Sequence, residues 1–386
     1  MSDQLMKASF IFGTRPEAIK LSPVILEFQK DSSVQTHICV TGQHREMLDS
    51  VLGVFGIKPD CDLRLMTQNQ GMGFFLGRAI ESIDQYLAQE VPDVVFVQGD
   101  TMTVLGASVA AFLRRIKVVH VEAGLRTGNL QSPFPEEMNR VLTSRVADCH
   151  MAPTEAAKSN LLKEGVPDGD VYVTGNSGID ALLRVRRMVA QAQIKPDVLG
   201  KISFRDDQRV VLITSHRREN LGGGLTAICT AIRTLAANFP STLFVFPVHP
   251  NPNVREVVFP MLDRVPNVCL TEPLDYFSFV WLMDRSYLIL TDSGGIQEEA
   301  PSLHKPILVM RDTTERPEGV VAGCAKLVGP NSDAIVEGAT ILMTDENSYQ
   351  TMATIENPYG DGRASERILA IAKQRFGAQS SGQGAR

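Results

Sequence analysis

The chain has 386 residues, of which 44% are hydrophobic and 21% charged, and its formal net charge is −6. That balance belongs to a globular chain long enough for two domains with a core in each, and it excludes a disordered polyelectrolyte. No Lys/Arg-rich block suggests a nucleic-acid surface. No run of about 18 apolar residues is present to span a membrane.

From the N-terminus, strand-like and helix-like runs alternate. The stretch "MSDQLMKASFIFGTRPEAIK" has no long apolar segment of the signal-peptide type, so a cytoplasmic protein is expected. "ASFIFG" leads into "PEAIKLSPVILEFQK" and then "THICVTG"; "DVVFVQGD" leads into "TVLGASVAAFLRR" and "KVVHVEAG"; "DCHMAPT", "AAKSNLLKEG" and "DVYVTGN" repeat the scheme. This rhythm predicts parallel sheets with helices on both faces.

Between about residues 176 and 208 the rhythm loosens into the Arg-rich "ALLRVRRMVAQAQ" and the charged "FRDDQ". The junction between a first domain, 1–175, and a second, 176–363, is placed at its start. A new set follows with "RVVLITSH", "LTAICTAIRTLAANF", "LFVFPVHP", "YLILTDSGG" and "PILVM". The expected fold is therefore α/β, with two Rossmann-like doubly wound domains facing a cleft. The amphipathic "ASERILAIAKQRF" can cap either domain, and the tail 378–386 is expected to be disordered. The six cysteines form no CxxC pair and suit reduced core thiols.

In such sheets ligands bind beyond the carboxyl ends of the strands, which selects a short set of side chains. Arg15 and Lys20 follow the first strand, Asp100 follows "DVVFVQG", and Glu122 follows "KVVHV". Asp100 and Glu122 bracket one crossover unit, so neighbouring strands bring both acids to one rim. Each acid alone can instead cap a helix, and for Asp100 the two readings are balanced. The pair favours acid/base work, because close carboxylates have split pKa values. Glu136 and Arg140 stand four apart on a predicted helix, where a surface ion pair is the simpler reading.

In the second half His216 ends a strand, with Arg217 and Arg218 beside it, while His249 lies between prolines in a predicted turn. The strand–turn–helix "LILTDSGGIQEEAP" places Ser293, Gly294 and Gly295 where main-chain N–H groups favour phosphate. Glu299 stands about a turn further on and suits ribose hydroxyls. Arg311 and Arg316 supply cations for a diphosphate. Acids in one half and an anion cradle in the other suit a substrate with a reacting sugar-like part and a diphosphate handle.

Several of these segments together resemble the non-hydrolysing UDP-N-acetylglucosamine 2-epimerase family of bacteria: "FGTRPEAIKLSPV", "TGQHREML", "QGDTMTVLGASVAA", "HVEAGLRTGN", "PFPEEMNR", "TSHRREN", "VHPNP" and "ILTDSGGIQEEAPSLHKPILVMRDTTERPEGV". The resemblance implies a GT-B-like architecture whose C-terminal helix, about 364–377, crosses back onto the first domain. It implies interconversion of UDP-GlcNAc and UDP-ManNAc through elimination of UDP to a 2-acetamidoglucal, without cofactor or metal, in a homodimer. Glycosyltransferase and hydrolysing-epimerase chemistry are the alternatives on the same architecture, and a non-catalytic nucleotide-sugar sensor is a third.

Carried over by resemblance, Asp100, Glu122 and Glu136 match the family's acid/base positions, and His216 matches its active-site histidine. Arg15, Lys20, Arg140, Ser293, Gly294, Gly295, Glu299 and Arg316 match substrate contacts, and Leu274 and Phe279 match the uracil end. Gln43 and His44 match a regulatory region for a second UDP-GlcNAc. Glu46 and an arginine-free "RLMTQNQGM" depart from regulated members, so near-hyperbolic kinetics are expected.

Overall fold

The computed structural model describes residues 5–42, 45–67, 70–192, 204–205 and 207–377. Gln43, His44, the Glu46 side chain and the tail 378–386 lie outside the described residues. The chain divides into two compact units, one of Met1–Ala181 with Gly360–Arg386 and one of Leu182–Tyr359. The division falls within the helix Ser177–Ala192.

In the first unit β1 (Met6–Phe12), β2 (Val34–Val40), β3 (Cys61–Asp62), β4 (Val94–Gln98), β5 (Lys117–Val121), β6 (Cys149–Ala152) and β7 (Val171–Val173) form one sheet. Their order is β3-β2-β1-β4-β5-β6-β7, and every described pairing is parallel. Such strands are covered on both faces, which is why "VVFVQ" of β4 is buried along its length. Phe10 of β1 stacks on Phe96 of β4 at 4.8 Å, and Phe28 meets both edge-on at 5.2 and 5.0 Å. These rings bury a large apolar area beneath the switch between β1 and β4.

The helix Ala364–Phe376 belongs to this unit and packs on the helix Arg15–Gln29. Lys373 pairs with Asp31 at 2.6 Å and Arg375 with Asp170 at 2.7 Å. The carboxylate of Asp180 accepts the main-chain N–H of Ala364 at 3.2 Å and of Ser365 at 2.8 Å, satisfying orphan donors at the helix start.

The second unit repeats the design with β8 (Val210–Thr214), β9 (Leu243–Pro247), β10 (Val268–Thr271), β11 (Leu288–Thr291), β12 (Ile307–Val309) and β13 (Ala325–Leu327). The order is β10-β9-β8-β11-β12-β13, again parallel in every described pairing. Its switch lies between β8 and β11. Each unit therefore offers one crevice at the carboxyl ends of its two central strands.

Candidate active site

In the first unit the crevice is built by the turns after β1, β4 and β5. Gly13 in the first turn is obligatory on steric grounds, because a β-carbon there would lie 2.0 Å from Thr41 Oγ1. The helix that follows starts with a capping box, Thr14 to Glu17, and presents Arg15 and Lys20.

Asp100 and Glu122 are not used as helix caps. Thr101 caps the helix Met102–Leu113, its hydroxyl accepting the Val104 N–H at 3.2 Å, and this leaves the Asp100 carboxylate to other work. Glu122 follows β5 in the left-handed region, at φ 62°, fourteen residues before the next helix begins at Glu136. Its carboxylate pairs with Lys20 Nζ on one oxygen and accepts Gln98 Nε2 on the other. Register explains the closeness of the acids: Gln98 of β4 lies opposite Val121 of β5, so Asp100 and Glu122 leave adjacent strand tips.

Arg140 Nη2 meets Asp100 Oδ2 at 2.8 Å and Arg140 Nε lies 3.5 Å from Glu137 Oε2. Its contact with Glu136 is to the main-chain carbonyl, at 3.4 Å. The simple surface pair between Glu136 and Arg140 is thus replaced by a cross-element pair to Asp100. Burial pushes the Asp100 carboxyl up to about 6; Arg140 opposes this, while the negative charges of Glu122 and Glu136 add to it. A carboxyl so placed exchanges protons near neutrality. Nearby, burial also raises Glu17 to about 7, against hydrogen bonds from Thr14, Thr101 and Gly13.

The second unit's crevice has the opposite polarity. His216 and Arg217 follow β8, and Asp292 and the Ser293-Gly294-Gly295 turn follow β11. Asp292 is fully buried and accepts from Ser215 Oγ at 2.9 Å, the N–H groups of His216 and Arg217 at 2.9 and 3.0 Å, and Asn220 Nδ2 at 3.1 Å. His216 Nδ1 lies 3.4 Å from Asp292 Oδ1, and its ring stacks on that of His249. Burial lowers the His216 pKa, the Asp292 charge opposing and Arg217 and His249 assisting. The neutral imidazole is the form at and above neutrality.

Two guanidinium groups converge on the glycine turn. A β-carbon at Gly294 would lie 3.4 Å from Arg217 Nη2 and 3.9 Å from Arg316 Nη2. Arg316 is also held by an ion pair with Glu298. With the N–H groups that open the helix Gly294–Glu299, this makes a concentrated cationic face. Ser293 contributes differently, since its N–H is bound to Thr291 Oγ1 at 2.9 Å. Arg311 departs from expectation: it is buried and its guanidinium is committed to Glu219 at 2.5 Å and Glu315 at 2.7 Å. Glu299, half-buried, ends the short helix, while Leu274 and Phe279 lie beyond edge strand β10, around the start of the helix Tyr276–Arg285. His249 serves its turn, its Nδ1 accepting the Asn251 N–H at 3.2 Å.

The model of the UDP-N-acetylglucosamine 2-epimerase family matches residues 26–373. The chain belongs to that family. A relative named UDP-N-acetylglucosamine 2-epimerase, from Escherichia coli (strain K12), is 52% identical over 370 residues, covering 95% of this chain and 98% of its own. The Neisseria meningitidis UDP-GlcNAc 2-epimerase solved with UDP-GlcNAc bound has a TM-score of 0.89 at 50% identity, over 96% of this chain and all of that one. An S. aureus protein solved with UDP has a TM-score of 0.86 at 43% identity, over 99% of this chain and 100% of that one. The two Rossmann-like units are thus the GT-B-like fold of the UDP-GlcNAc 2-epimerases.

Sequence reasoning passed over Glu17, Gln98, His120, Asn139 and Asp292. The Thr14–Glu17 capping-box spacing was a readable signal for the first. The others hold main-chain groups or site side chains from elsewhere in the fold, and no local pattern marks them. Among the described residues, no cluster of three or more His, Cys, Asp or Glu is arranged to hold a metal ion, and no helix is long and apolar enough to cross a membrane.

Proposed function

We propose that this chain is a non-hydrolysing UDP-N-acetylglucosamine 2-epimerase that interconverts UDP-GlcNAc and UDP-ManNAc in the cytoplasm, as a homodimer, for surface polysaccharide synthesis. The observation that carries this reading is the carboxyl of Asp100, raised to about 6 and salt-linked to Arg140 beside Glu122, in a chain half identical to named epimerases.

In the first half-reaction a carboxylate removes the C2 proton, the C1–O bond breaks, and UDP departs with its electron pair, leaving a C1=C2 double bond. In the second, a proton is delivered to the opposite face of C2 and a UDP oxygen reattacks C1. Asp100, Glu122 and Glu136 supply and accept these protons, with Lys20 and Arg140 holding the acids in place and Arg15 contacting substrate. His216, oriented by Asp292, assists at the diphosphate side as a neutral ring. Arg316, Arg217 and the Ser293–Gly295 turn bind the diphosphate, Glu299 the ribose, and Leu274 and Phe279 the uracil. Developing negative charge on the leaving diphosphate is stabilised by donors already in position, which is the larger part of the barrier reduction.

Proton and phosphorus NMR of the protein with UDP-GlcNAc tests this. The expected result is a second UDP-sugar with ManNAc stereochemistry and no build-up of UDP. Equimolar UDP and free ManNAc identify a hydrolysing enzyme, and conversion only on adding an acceptor identifies a glycosyltransferase. Binding without turnover identifies a sensor.

A further inference from the structure

The turn that carries Asp100 is held at three successive residues. His120 Nε2 lies 2.7 Å from the carbonyl oxygen of Gly99, Asn139 Nδ2 donates to the carbonyl of Asp100 at 2.8 Å, and Thr101 Oγ1 donates to Glu17 Oε1 at 2.8 Å. His120 lies in β5 and Asn139 in the helix Glu136–Val146, both on one flank of β4. Glu17 comes from the other flank, in the first turn of the helix that begins with Arg15 and bears Lys20. Its second oxygen accepts the main-chain N–H groups of Gly13 at 3.1 Å and Thr14 at 2.7 Å.

Glu17 is only 1% exposed, so no substrate reaches it, yet a buried carboxylate is costly to keep. A capping box alone does not require that burial, since its acid serves as well at an exposed helix start. The third acceptor bond, to Thr101, is the feature that a helix cap does not need. Glutamine can reproduce the set, its oxygen taking the two N–H groups and its amide donating to the second lone pair of the Thr101 hydroxyl, whereas alanine removes it.

We propose that Glu17 is a positioning residue for the epimerisation, locking the turn that carries Asp100 to the turn that carries Arg15. This rests on the reading in which Asp100 acts on the sugar. Loss of the link leaves both turns formed and the substrate bound, but lets the carboxylate drift from the reacting carbon. Misplacement of about 1 Å costs on the order of a hundredfold in rate.

The test is steady-state kinetics of the full chain with UDP-GlcNAc for wild type, Glu17→Ala, Thr101→Gly, Thr101→Ser and the Glu17→Ala/Thr101→Gly double variant, glycine being tolerated at the helix cap that Thr101 also provides. The expected result is a kcat lowered about tenfold to a hundredfold in both disruptive single variants, with KM within about threefold. Thr101→Ser stays within about twofold of wild type, and the double variant falls no further than the worse single one, because both remove the same bond. Wild-type kcat in the single variants, or losses that multiply in the double, would overturn the proposal and leave Glu17 a helix cap. Circular dichroism checks folding; should Glu17→Ala not fold, the contrast between Thr101→Gly and Thr101→Ser decides alone. A wild-type chain that does not epimerise UDP-GlcNAc would remove the underlying reading, a result distinct from active wild type with indifferent variants.

Discussion

Asp100 and Asp292 stand at corresponding places in the two units, just past the strand beside the first strand of each sheet: β4 beside β1, and β11 beside β8. Asp100 stands two residues past β4 and Asp292 one residue past β11, and their employment is opposite. Asp292 is sealed in and spends its oxygens on main-chain and side-chain donors from the β8 turn. Asp100 turns its carboxylate to the crevice, leaves capping to Thr101 and helix anchoring to its own carbonyl, and keeps one strong partner, Arg140. A Rossmann-like strand tip is therefore a neutral platform. In the proposed mechanism one tip transfers protons and the other braces a histidine and the turn assigned to the diphosphate.

The largest effect expected from that contrast is on turnover. Asp100→Asn or Glu122→Gln lowers kcat by about 10²- to 10⁴-fold, the usual worth of a positioned acid or base, while UDP affinity by calorimetry stays near wild type. Equal losses of rate and of UDP affinity would erase the division between the units. Next come Arg217→Ala and Arg316→Ala. Each removes charge-assisted bonds worth about 1.5–3 kcal/mol, so UDP binding weakens roughly tenfold to a hundredfold.

Stability separates the two aspartates further. Asp292→Asn removes one of the two acceptor oxygens that these buried donors share and costs about 1–3 kcal/mol in chemical denaturation. Asp100→Asn acts with the other sign. Because the folded pKa of about 6 exceeds the ordinary 3.8, the folded state holds the proton more tightly and loses stability as pH rises between those values. Its ionic penalty is complete above pH 6, so the amide raises the melting temperature at pH 8 relative to wild type and has no such effect below pH 4. The same group predicts an acid limb in kcat/KM with a midpoint near pH 6, absent in Asp100→Asn. The smallest expectation is kinetic shape: the rate is near-hyperbolic in UDP-GlcNAc, and a pronounced sigmoid would return Gln43 and His44 to regulation.

Much of the fold was legible because parallel strands covered on both faces appear as continuous apolar runs: "VVFVQ", "VVLIT" and "LILT" are β4, β8 and β11. The short edge strands β3, β10 and β13 were not, since two to four residues with polar neighbours carry no periodic signal. The acids at strand tips could be found from position alone. For Asp100 capping and acid/base work stayed balanced because Asp100 and Thr101 are adjacent and both able to cap, and only geometry shows that Thr101 takes the Val104 N–H. The fate of Arg311 was equally hidden, its two carboxylate partners being nearby acids that a sequence does not assign to it.

Deuterium wash-in at C2 tests the central claim most directly. With UDP-GlcNAc saturating in D2O, wild type is predicted to place one solvent deuteron at C2 for each UDP-ManNAc formed, and Asp100→Asn to bind UDP normally while losing that exchange. Wild-type exchange in Asp100→Asn, or UDP-ManNAc that keeps its original C2 proton, would contradict it.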